Sequence, residues 1–432
     1  MKPIQDRIQI CIVKIIQNNR QLKNIFEEIY QQGGRVLLVG GAVRDCLLGC
    51  ISSDLDFEVY HISFVQLQDI LEKFGVVSFI GKSFGVLRIH GIDADWSIPR
   101  TDSYGRRPEV ELNPNMSFTQ AFRRRDITIN AMGIDVHSLE LIDPFNGLQD
   151  LENKIIRSPD LSFFVQDPLR LFRVMQFVAR FQMNVDPTLS KVCQTMDVSQ
   201  ISAERIWQEF SKLFLKSQYP SIGVRWLETI GRLSEIFPGV TFDQSLYDSL
   251  DCLAQQDVLP DEQKLVGLWS FIVQKNINLM ITSVSVYDKI SLAQYKMLSD
   301  FLKRYMGSQD LIEKIILVSW YLPYITLAVH EEKDIVYQKI ASFLDNTITL
   351  QQISDIAVCW YNQEIVEKFI HQARSAKVLY YPIPELLNGK DLLTYAQGKD
   401  LGDLLKFAYN LQLEKSISDK QQLLDLVLKQ KQ

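Results

Sequence analysis

Two glycines followed by two aspartates form the most informative pattern in this 432-residue sequence. Gly40 and Gly41 come directly after the apolar run VLLV, so the backbone at the end of a buried strand can approach a phosphate closely. Asp54 and Asp56 are separated by one residue on a predicted strand, where both carboxylates point to one face. Two oxygen ligands on one face suit Mg²⁺ bound to a triphosphate. The pattern predicts a metal-dependent nucleotide site, and a glycine turn beside a solvated acidic strand is the plainer alternative.

Arginines near both elements supply the positive charge that such a site needs. Arg44 lies on the first turn of the helix predicted after the glycines, where its guanidinium can bind the same anion. A run of three arginines ends at Arg125, and Asp126 and Asn130 flank the alternating apolar segment that follows. Three arginines alone are more often a solvated basic face. Polar residues that flank an apolar segment indicate instead the edge of a binding site.

An Asp-Pro pair marks the start of a later helix. Pro168 after Asp167 is typical of a helix N-terminus and needs no further function. Asp167, Arg170 and Arg173 recur every three residues, so they share one stripe of that helix. An aspartate acceptor beside an arginine donor can match the hydrogen-bonding edge of a nucleobase. The stripe predicts a base-recognition surface, with helix capping as the alternative.

The elements that must position these residues change character along the chain. In roughly the first third, short apolar runs alternate with polar residues and helices are few, which predicts a compact mixed sheet. One long polar stretch within it, residues 101–122, is expected to be functional or mobile. After it, apolar residues recur at three-to-four spacing and predict almost only helices. The sequence therefore predicts an α+β chain with its sheet first.

Net charge, cysteine spacing and hydropathy exclude several classes of protein. A net charge of −6 argues against a general polyanion-coating protein, although a local basic surface remains compatible with it. None of the six cysteines shows CxxC spacing, which disfavours a zinc ribbon or a dithiol redox site. The start of the chain lacks a signal-peptide pattern, and no uncharged apolar stretch is long enough to span a bilayer. We expect a cytoplasmic protein without a membrane partner.

Five motifs in order resemble the class II tRNA nucleotidyltransferases: GGAVRD, DLD, RRDITINA, DPFNGLQDLENKIIR and QDPLRLFRVMQFVARF. This family includes the CCA-adding enzymes, their CC-adding and A-adding relatives, and bacterial poly(A) polymerases. A later segment, residues 386–415, is similar to the tail of CCA-adding enzymes, which poly(A) polymerases of the family generally lack. The resemblance therefore favours the tRNA enzymes, and among them a bacterial CCA-adding enzyme without a His-Asp phosphohydrolase domain.

The resemblance implies both an architecture and an activity. It implies a catalytic nucleotidyltransferase head with a small mixed β-sheet in residues 1–145, followed by an all-helical neck, body and tail. The neck (146–240) would template the nucleotide base, the body would span 241–380, and the tail (381–432) would bind tRNA. The implied reaction is template-independent addition of C, C and A to the 3′ end of tRNA, from CTP and ATP, with release of pyrophosphate.

It also implies a role for each matched residue. Asp54 and Asp56 would hold two Mg²⁺ ions that activate the RNA 3′-hydroxyl and stabilise the leaving pyrophosphate. Triphosphate and ribose would be bound by residues of the first and third motifs, namely Gly40, Gly41, Arg44, Arg125 and Asn130.

The last motif would select the base. Asp167 and Arg170 would pair with the incoming cytosine or adenine, and Arg173 would fix that geometry or contact phosphate. Residues 101–122 resemble the flexible loop that helps switch specificity from C to A. Asp95 stands where a third carboxylate often occurs, although Glu58 shares the face of the catalytic aspartates.

Departures from the family pattern leave alternatives open. Gln166 replaces the usual Glu before the templating aspartate, and Gln176 stands where an Arg is usual. The loop is close to full length, which favours CCA or A-only addition over CC-only addition. Poly(A) synthesis is less favoured, and a catalytically idle RNA-binding protein least, because the site residues are intact.

Overall fold

The computed structural model describes residues 3–80, 85–102, 110–276, 290–344 and 346–429. The chain divides into two compact units. The N-terminal unit comprises Met1–Ile201 with Thr229–Gly231, and the C-terminal unit comprises Ser202–Glu228 with Arg232–Gln432. The sheet lies in the first unit and the second is helical, so the predicted α+β class is confirmed.

A seven-stranded mixed sheet forms the centre of the N-terminal unit, with the strand order β3-β4-β5-β2-β1-β8-β9. Its strands are β1 (Arg35–Val39), β2 (Leu55–Tyr60), β3 (Val77–Ile80), β4 (Val86–Ile89), β5 (Ala94–Ser97), β8 (Gly133–Asp135) and β9 (Leu141–Ile142). Only β2 and β5 run parallel; the other neighbours are antiparallel. The start of β2 therefore lies beside the end of β1 and the start of β5.

Two small ribbons accompany this sheet. β6 (Arg100–Asp102) pairs antiparallel with β7 (Val110–Leu112), and β10 (Ile155–Ile156) pairs parallel with β11 (Asn184–Val185). The second ribbon lies in the segment predicted to be almost wholly helical. Strands of two residues leave no alternation in the sequence, so periodicity could not reveal them.

Helices of the N-terminal unit pack on both faces of the sheet and carry the later motifs. They are α1 (Ile4–Asn18), α2 (Arg20–Gln31), α3 (Gly41–Leu47), α4 (Phe64–Glu72), α5 (Phe118–Arg123), α6 (Gly147–Glu152), α7 (Leu161–Phe164), α8 (Leu169–Phe181) and α9 (Pro187–Thr195). Phe26 of α2 meets Phe57 of β2 with ring centroids 5.1 Å apart, and Phe57 meets Trp96 of β5 at 4.7 Å. These buried aromatic rings fix the strands that carry the acidic motif.

The C-terminal unit is built from helices α10 to α23. Their bounds are α10 (Ala203–Lys216), α11 (Pro220–Thr229), α12 (Leu233–Ile236), α13 (Gln244–Ala254), α14 (Asp261–Gln274), α15 (Leu292–Leu302), α16 (Gln309–Tyr321), α17 (Tyr324–Glu331), α18 (Asp334–Leu344), α19 (Leu350–Ala357), α20 (Gln363–Ser375), α21 (Gly389–Leu392), α22 (Gly398–Glu414) and α23 (Lys420–Lys429). Trp269 of α14 is fully buried among Phe210, Phe237 and Tyr305. A disulfide joins Cys252 to Cys359 within this unit.

Within the described ranges, no single helix is long and apolar enough to cross a membrane. Helices α16 and α17 meet those criteria only together, as a pair bent by 46°.

Candidate active site

The glycine motif turns the chain from β1 into α3. Gly40 has φ +75°, a conformation that L side chains rarely adopt. A Cβ atom at Gly40 would lie 2.8 Å from Nη1 of Arg125 and 3.7 Å from Oδ2 of Asp56. Glycine is therefore required here for backbone conformation and for space. Side chains of the second and third motifs therefore both lie beside this turn.

Asp54 and Asp56 lie at the start of β2, beside this turn. Asp56 pairs in register with Val39 of β1 and with Asp95 of β5, and both aspartates of the motif are exposed. Surrounding protein atoms displace part of the hydration of the Asp56 carboxylate, and the charges of Asp54 and Asp95 repel it. These effects outweigh the attraction of Arg125 and raise the pKa of Asp56 to about 6.

The structure separates the two candidates for a third carboxylate. Asp95 lies on the same face as Asp56, one strand away, and accepts a hydrogen bond from Nε of Arg88 at 2.6 Å. Glu58 is fully buried and accepts from the Tyr60 hydroxyl at 2.5 Å. A carboxylate that is buried in the core and already hydrogen-bonded is poorly placed to reach a ligand. The geometry therefore supports Asp95 as the candidate for the third carboxylate.

A divalent ion fits the acidic pair, judged by its donor set. Among the described residues no group of three or more His, Cys, Asp or Glu side chains could hold a metal. Mg²⁺ is usually bound through one or two carboxylates, with water and substrate phosphates completing the shell. Asp54 and Asp56, exposed on one face beside the glycine turn, match that mode. They do not form a preassembled cage.

A buried polar network connects α3 to α8. Arg44 donates from Nη1 to Oδ1 of Asn130 at 2.6 Å, and from Nε to Asp45 at 2.9 Å. Asn130 donates from Nδ2 to Oδ1 of Asp126 at 3.2 Å. Oδ2 of Asp126 accepts from Nε of Arg173 on α8 at 2.7 Å. Three of the predicted nucleotide-binding residues are thus joined through a carboxylate.

The charges in this network compensate one another. Burial would raise the pKa of Asp126, but the Arg173 charge and hydrogen bonds from Arg173, Asn130 and the Ile127 N–H hold it below its usual range. Burial lowers the pKa of Arg44, which is 4% exposed and lies over the Phe181 ring with its Cζ 4.5 Å from the centroid. The geometry fits Arg44 for positioning Asn130 and the glycine turn.

Hydrogen bonds to backbone carbonyls hold the start of α8 in place. Arg170 donates from Nη1 to the Phe163 carbonyl at 2.6 Å and from Nη2 to the Arg124 carbonyl at 2.8 Å. Oδ1 of Asp167 accepts from the Leu169 N–H at 3.2 Å, so the capping role predicted as an alternative is present. The adjacent Gln166 is exposed and donates to the Ser162 carbonyl at 3.0 Å.

Six of the predicted residues fall into two groups by their contacts. Gly40, Arg125 and Asp56 form one, and Arg44, Asn130 and Arg173 form the other. Asp126, which the sequence pattern placed only at the polar edge of the site, joins Asn130 to Arg173 in the second group. Part of the predicted flexible loop, residues 103–109, lies outside the described residues.

Arg125 is the positively charged residue of the first group. Its Nε is buried and has no hydrogen-bond partner among the residues described, while its Nη1 lies over Gly40. A half-buried guanidinium whose Nη1 lies beside a glycine turn can bind an anion there. Arg125 is therefore the best-placed cation for a triphosphate.

Comparisons with known proteins bear on the family and the fold of the chain. Residues 36–157 match the family described as "Poly A polymerase head domain", and residues 188–243 match "Probable RNA and SrmB- binding site of polymerase A". The chain is 30% identical over 244 residues to the multifunctional CCA protein of Xanthomonas campestris pv. campestris, covering 52% of this chain and 58% of that protein. It is 32% identical over 217 residues to the CCA-adding enzyme of Pseudomonas entomophila, covering 48% and 56%. The chain thus matches less than two thirds of the length of these relatives.

Solved structures extend the likeness over the whole chain. The CCA-adding enzyme of Thermotoga maritima in complex with tRNA aligns with a TM-score of 0.61 at 20% identity, covering 100% of this chain and 99% of that one. A CCA-adding enzyme in complex with CTP aligns with a TM-score of 0.66 at 20% identity, covering 98% of both chains. The resemblance drawn from the sequence motifs is confirmed. Residues 36–157 and 188–243 therefore match two family segments of poly(A) polymerases, and the fold of the chain is that of CCA-adding enzymes.

Proposed function

We propose that this protein adds C, C and A to the 3′ end of tRNA, using CTP and ATP and releasing pyrophosphate. The observation that carries the proposal is the meeting of Asp56, Gly40 and Arg125 at one edge of the sheet. Relatives named CCA-adding enzyme and multifunctional CCA protein support it. tRNA is the proposed macromolecular partner, and the cytoplasm is the proposed compartment.

The reaction is a displacement at phosphorus. The 3′-hydroxyl oxygen of the RNA attacks the α-phosphorus, the bond from the α-phosphorus to the oxygen bridging to the β-phosphate breaks, and pyrophosphate leaves. Asp54 and Asp56 lie where the hydroxyl proton is released, and Arg125 lies where negative charge develops on the leaving group. Two Mg²⁺ ions, when held by these carboxylates, supply Lewis-acid activation of the hydroxyl and charge neutralisation. Positioning and electrostatics therefore provide most of the catalysis.

Base selection is proposed to reside at the start of α8. Cytosine and adenine both present an amino donor beside a ring-nitrogen acceptor, whereas uracil and guanine present the opposite order. Asp167 can accept from the amino group and Arg170 can donate to the ring nitrogen. The carbonyls of Phe163 and Arg124 hold the Arg170 guanidinium in place, so its orientation is fixed before the nucleotide binds.

This assignment gives each part of the chain a proposed function. We propose a catalytic head in residues 1–145, a base-templating neck in 146–240, a body in 241–380 and a tRNA-binding tail in 381–432. In the neck, residues 188–243 match a family segment described as an RNA-binding site, which supports RNA contact there.

Three tRNA transcripts test the reaction: one lacking the terminal triplet, one ending in C-C and one ending in C-C-A. Each is incubated with CTP, ATP or both, and the products are separated at single-nucleotide resolution. Extension of the shortest transcript to C-C-A, with no extension of the complete one, supports the proposal.

The alternatives give different products. Extension only of the transcript ending in C-C identifies an A-adding enzyme, and arrest at C-C identifies a CC-adding one. A long adenylate tract identifies a poly(A) polymerase. No extension with any nucleotide leaves the chain as a non-catalytic RNA-binding protein.

A further inference from the structure

A pocket of about 400 Å³ opens at the turn between β4 and β5, one to two strands away from the acidic motif on β2. Its polar lining consists of Ser78, Arg88, His90 and Asp93, and we call it the β4–β5 pocket. Pockets of a few hundred Å³ are the size that small ligands and single nucleotides occupy. None of the nucleotide-binding residues assigned above lines it.

The pocket lies on a continuous row of side chains with the acidic motif. In the register of the sheet, Ser78 pairs with Arg88, Arg88 with Asp95, and Asp95 with Asp56. Directly paired residues on neighbouring strands project from the same face. Arg88 is two strands from Asp56, a distance of about 10 Å at the usual strand spacing.

The glycine turn and the pocket lie on opposite sides of the carboxylates. Gly40 follows β1, which is the neighbour of β2 on one side, whereas β5 and β4 follow on the other. Given the proposed function, the leaving pyrophosphate belongs on the side of Gly40 and Arg125. An in-line displacement places the attacking oxygen on the opposite side of the α-phosphorus. The RNA terminus therefore has to approach from the side of β5 and β4.

The pocket offers chemistry that suits the end of an RNA strand. Arg88 is partly exposed and donates to Asp95 from Nε, and a guanidinium has further donors for a phosphodiester. His90 is exposed and presents a ring on which a base can stack. Asp93 is exposed and can accept a hydrogen bond from a ribose hydroxyl.

We propose that the β4–β5 pocket binds the 3′-terminal nucleotide of the RNA substrate, with Arg88 contacting its phosphate. The inference rests on the proposed function, because only a nucleotidyltransferase reaction defines the two sides of the carboxylates. Arg88 also links the pocket to the catalytic face through Asp95, so occupancy by RNA and the position of Asp95 are coupled.

Photocrosslinking locates the RNA terminus directly. A tRNA transcript lacking the terminal triplet and carrying a 3′-terminal 4-thiouridine is irradiated with the full-length protein, Mg²⁺ and a non-hydrolysable CTP analogue. Crosslinks to Ser78 or to residues 86–93 are expected. Crosslinks confined to residues 118–181 would overturn the proposal. Addition activity is measured on an unmodified transcript with the same preparation, so that failure of the proposed function shows itself as no extension at all.

Two substitutions separate RNA binding from an effect on the carboxylates. Arg88→Gln should lower kcat/KM for the tRNA at least about tenfold, because losing one charge-assisted hydrogen bond has an effect of this size. The Kd for CTP should change less than about twofold. His90→Ala should lower kcat/KM for the tRNA in the same way without touching Asp95. Arg20→Gln removes an exposed arginine elsewhere in the same unit and should leave both constants unchanged. A loss of CTP binding in Arg88→Gln, with no effect of His90→Ala, would overturn the assignment.

Discussion

Removing the charge of Asp126 is the sharpest test of the network that connects α3 to α8. In Asp126→Asn, Arg173 faces an amide in place of the Asp126 carboxylate, while the Ile127 N–H keeps an acceptor. Breaking a buried ion pair by removing one partner costs about 3–5 kcal/mol. The Arg173 side chain is 32% exposed and keeps part of its hydration, so we expect the free energy of unfolding to fall by about 2–3 kcal/mol.

The assay has to report on the N-terminal unit alone. Urea unfolding followed by hydrogen-exchange mass spectrometry of peptides from residues 116–181 meets this need, since a single transition of the whole chain would mix two units. Glu28→Gln is the matched control, because it makes the same acid-to-amide change in an exposed pair with Lys73. Its expected cost is much smaller, because the charges of an exposed ion pair remain hydrated when the pair is broken.

The pH dependence has a definite sign. The pKa of Asp126 is depressed in the folded state, so its stabilising contribution is present above the unfolded value, about 4, and is lost as pH falls through the folded value. The stability difference between wild type and Asp126→Asn should therefore shrink below about pH 4. If Asp126→Asn costs no more than Glu28→Gln at neutral pH, the network does not hold α8 against α3.

Three further predictions concern single residues of the site. Asp56→Asn should abolish nucleotide addition and raise the free energy of unfolding of the metal-free protein at pH 7 by about 1 kcal/mol, because a carboxylate with a pKa of about 6 destabilises the fold once it ionises. An extension assay measures the first effect and a urea titration without metal the second. A variant less stable than the wild type would contradict the predicted sign. Gly40→Ala should lower turnover more than about tenfold, because the new Cβ would collide with Arg125. Gly49→Ala is the control, since Gly49 has φ +85° but nothing within 4 Å of its Cβ position, so this variant should lose stability and keep activity. Equal turnover in the two variants would show that the collision with Arg125 does not matter. Asp167→Ala should lower kcat/KM for CTP and ATP relative to UTP and GTP by at least about tenfold, measured by single-nucleotide incorporation; an unchanged preference would remove it from base selection.

Local spacing was enough to predict how the acidic motif and the glycine turn are placed on the sheet. The period of a strand places Asp54 and Asp56 on one face, and a double glycine after an apolar run predicts the close turn at Gly40. The change from short strands to helical periodicity predicts the fold class. These features depend on neighbouring residues, which a single sequence displays directly.

Partners that are distant in sequence could not be predicted in the same way. Arg44 bonds to Asn130, 86 positions away, and is buried, where the sequence predicted a phosphate ligand on an open helix turn. Nothing in the spacing indicates whether an arginine faces a substrate or another side chain. The pairing of Cys252 with Cys359 is likewise set by helix packing and not by a motif.

Nucleotide addition by matched wild-type and acidic-pair variants tests the central claim most directly. A tRNA transcript lacking the terminal triplet is incubated with CTP, ATP and Mg²⁺, using the wild type and the double substitution Asp54→Ala with Asp56→Ala. The account predicts that the wild type extends the transcript to C-C-A and stops, and that the variant keeps its fold, seen by hydrogen exchange, but adds nothing. Continued addition by the folded variant would show that these carboxylates are not the catalytic pair.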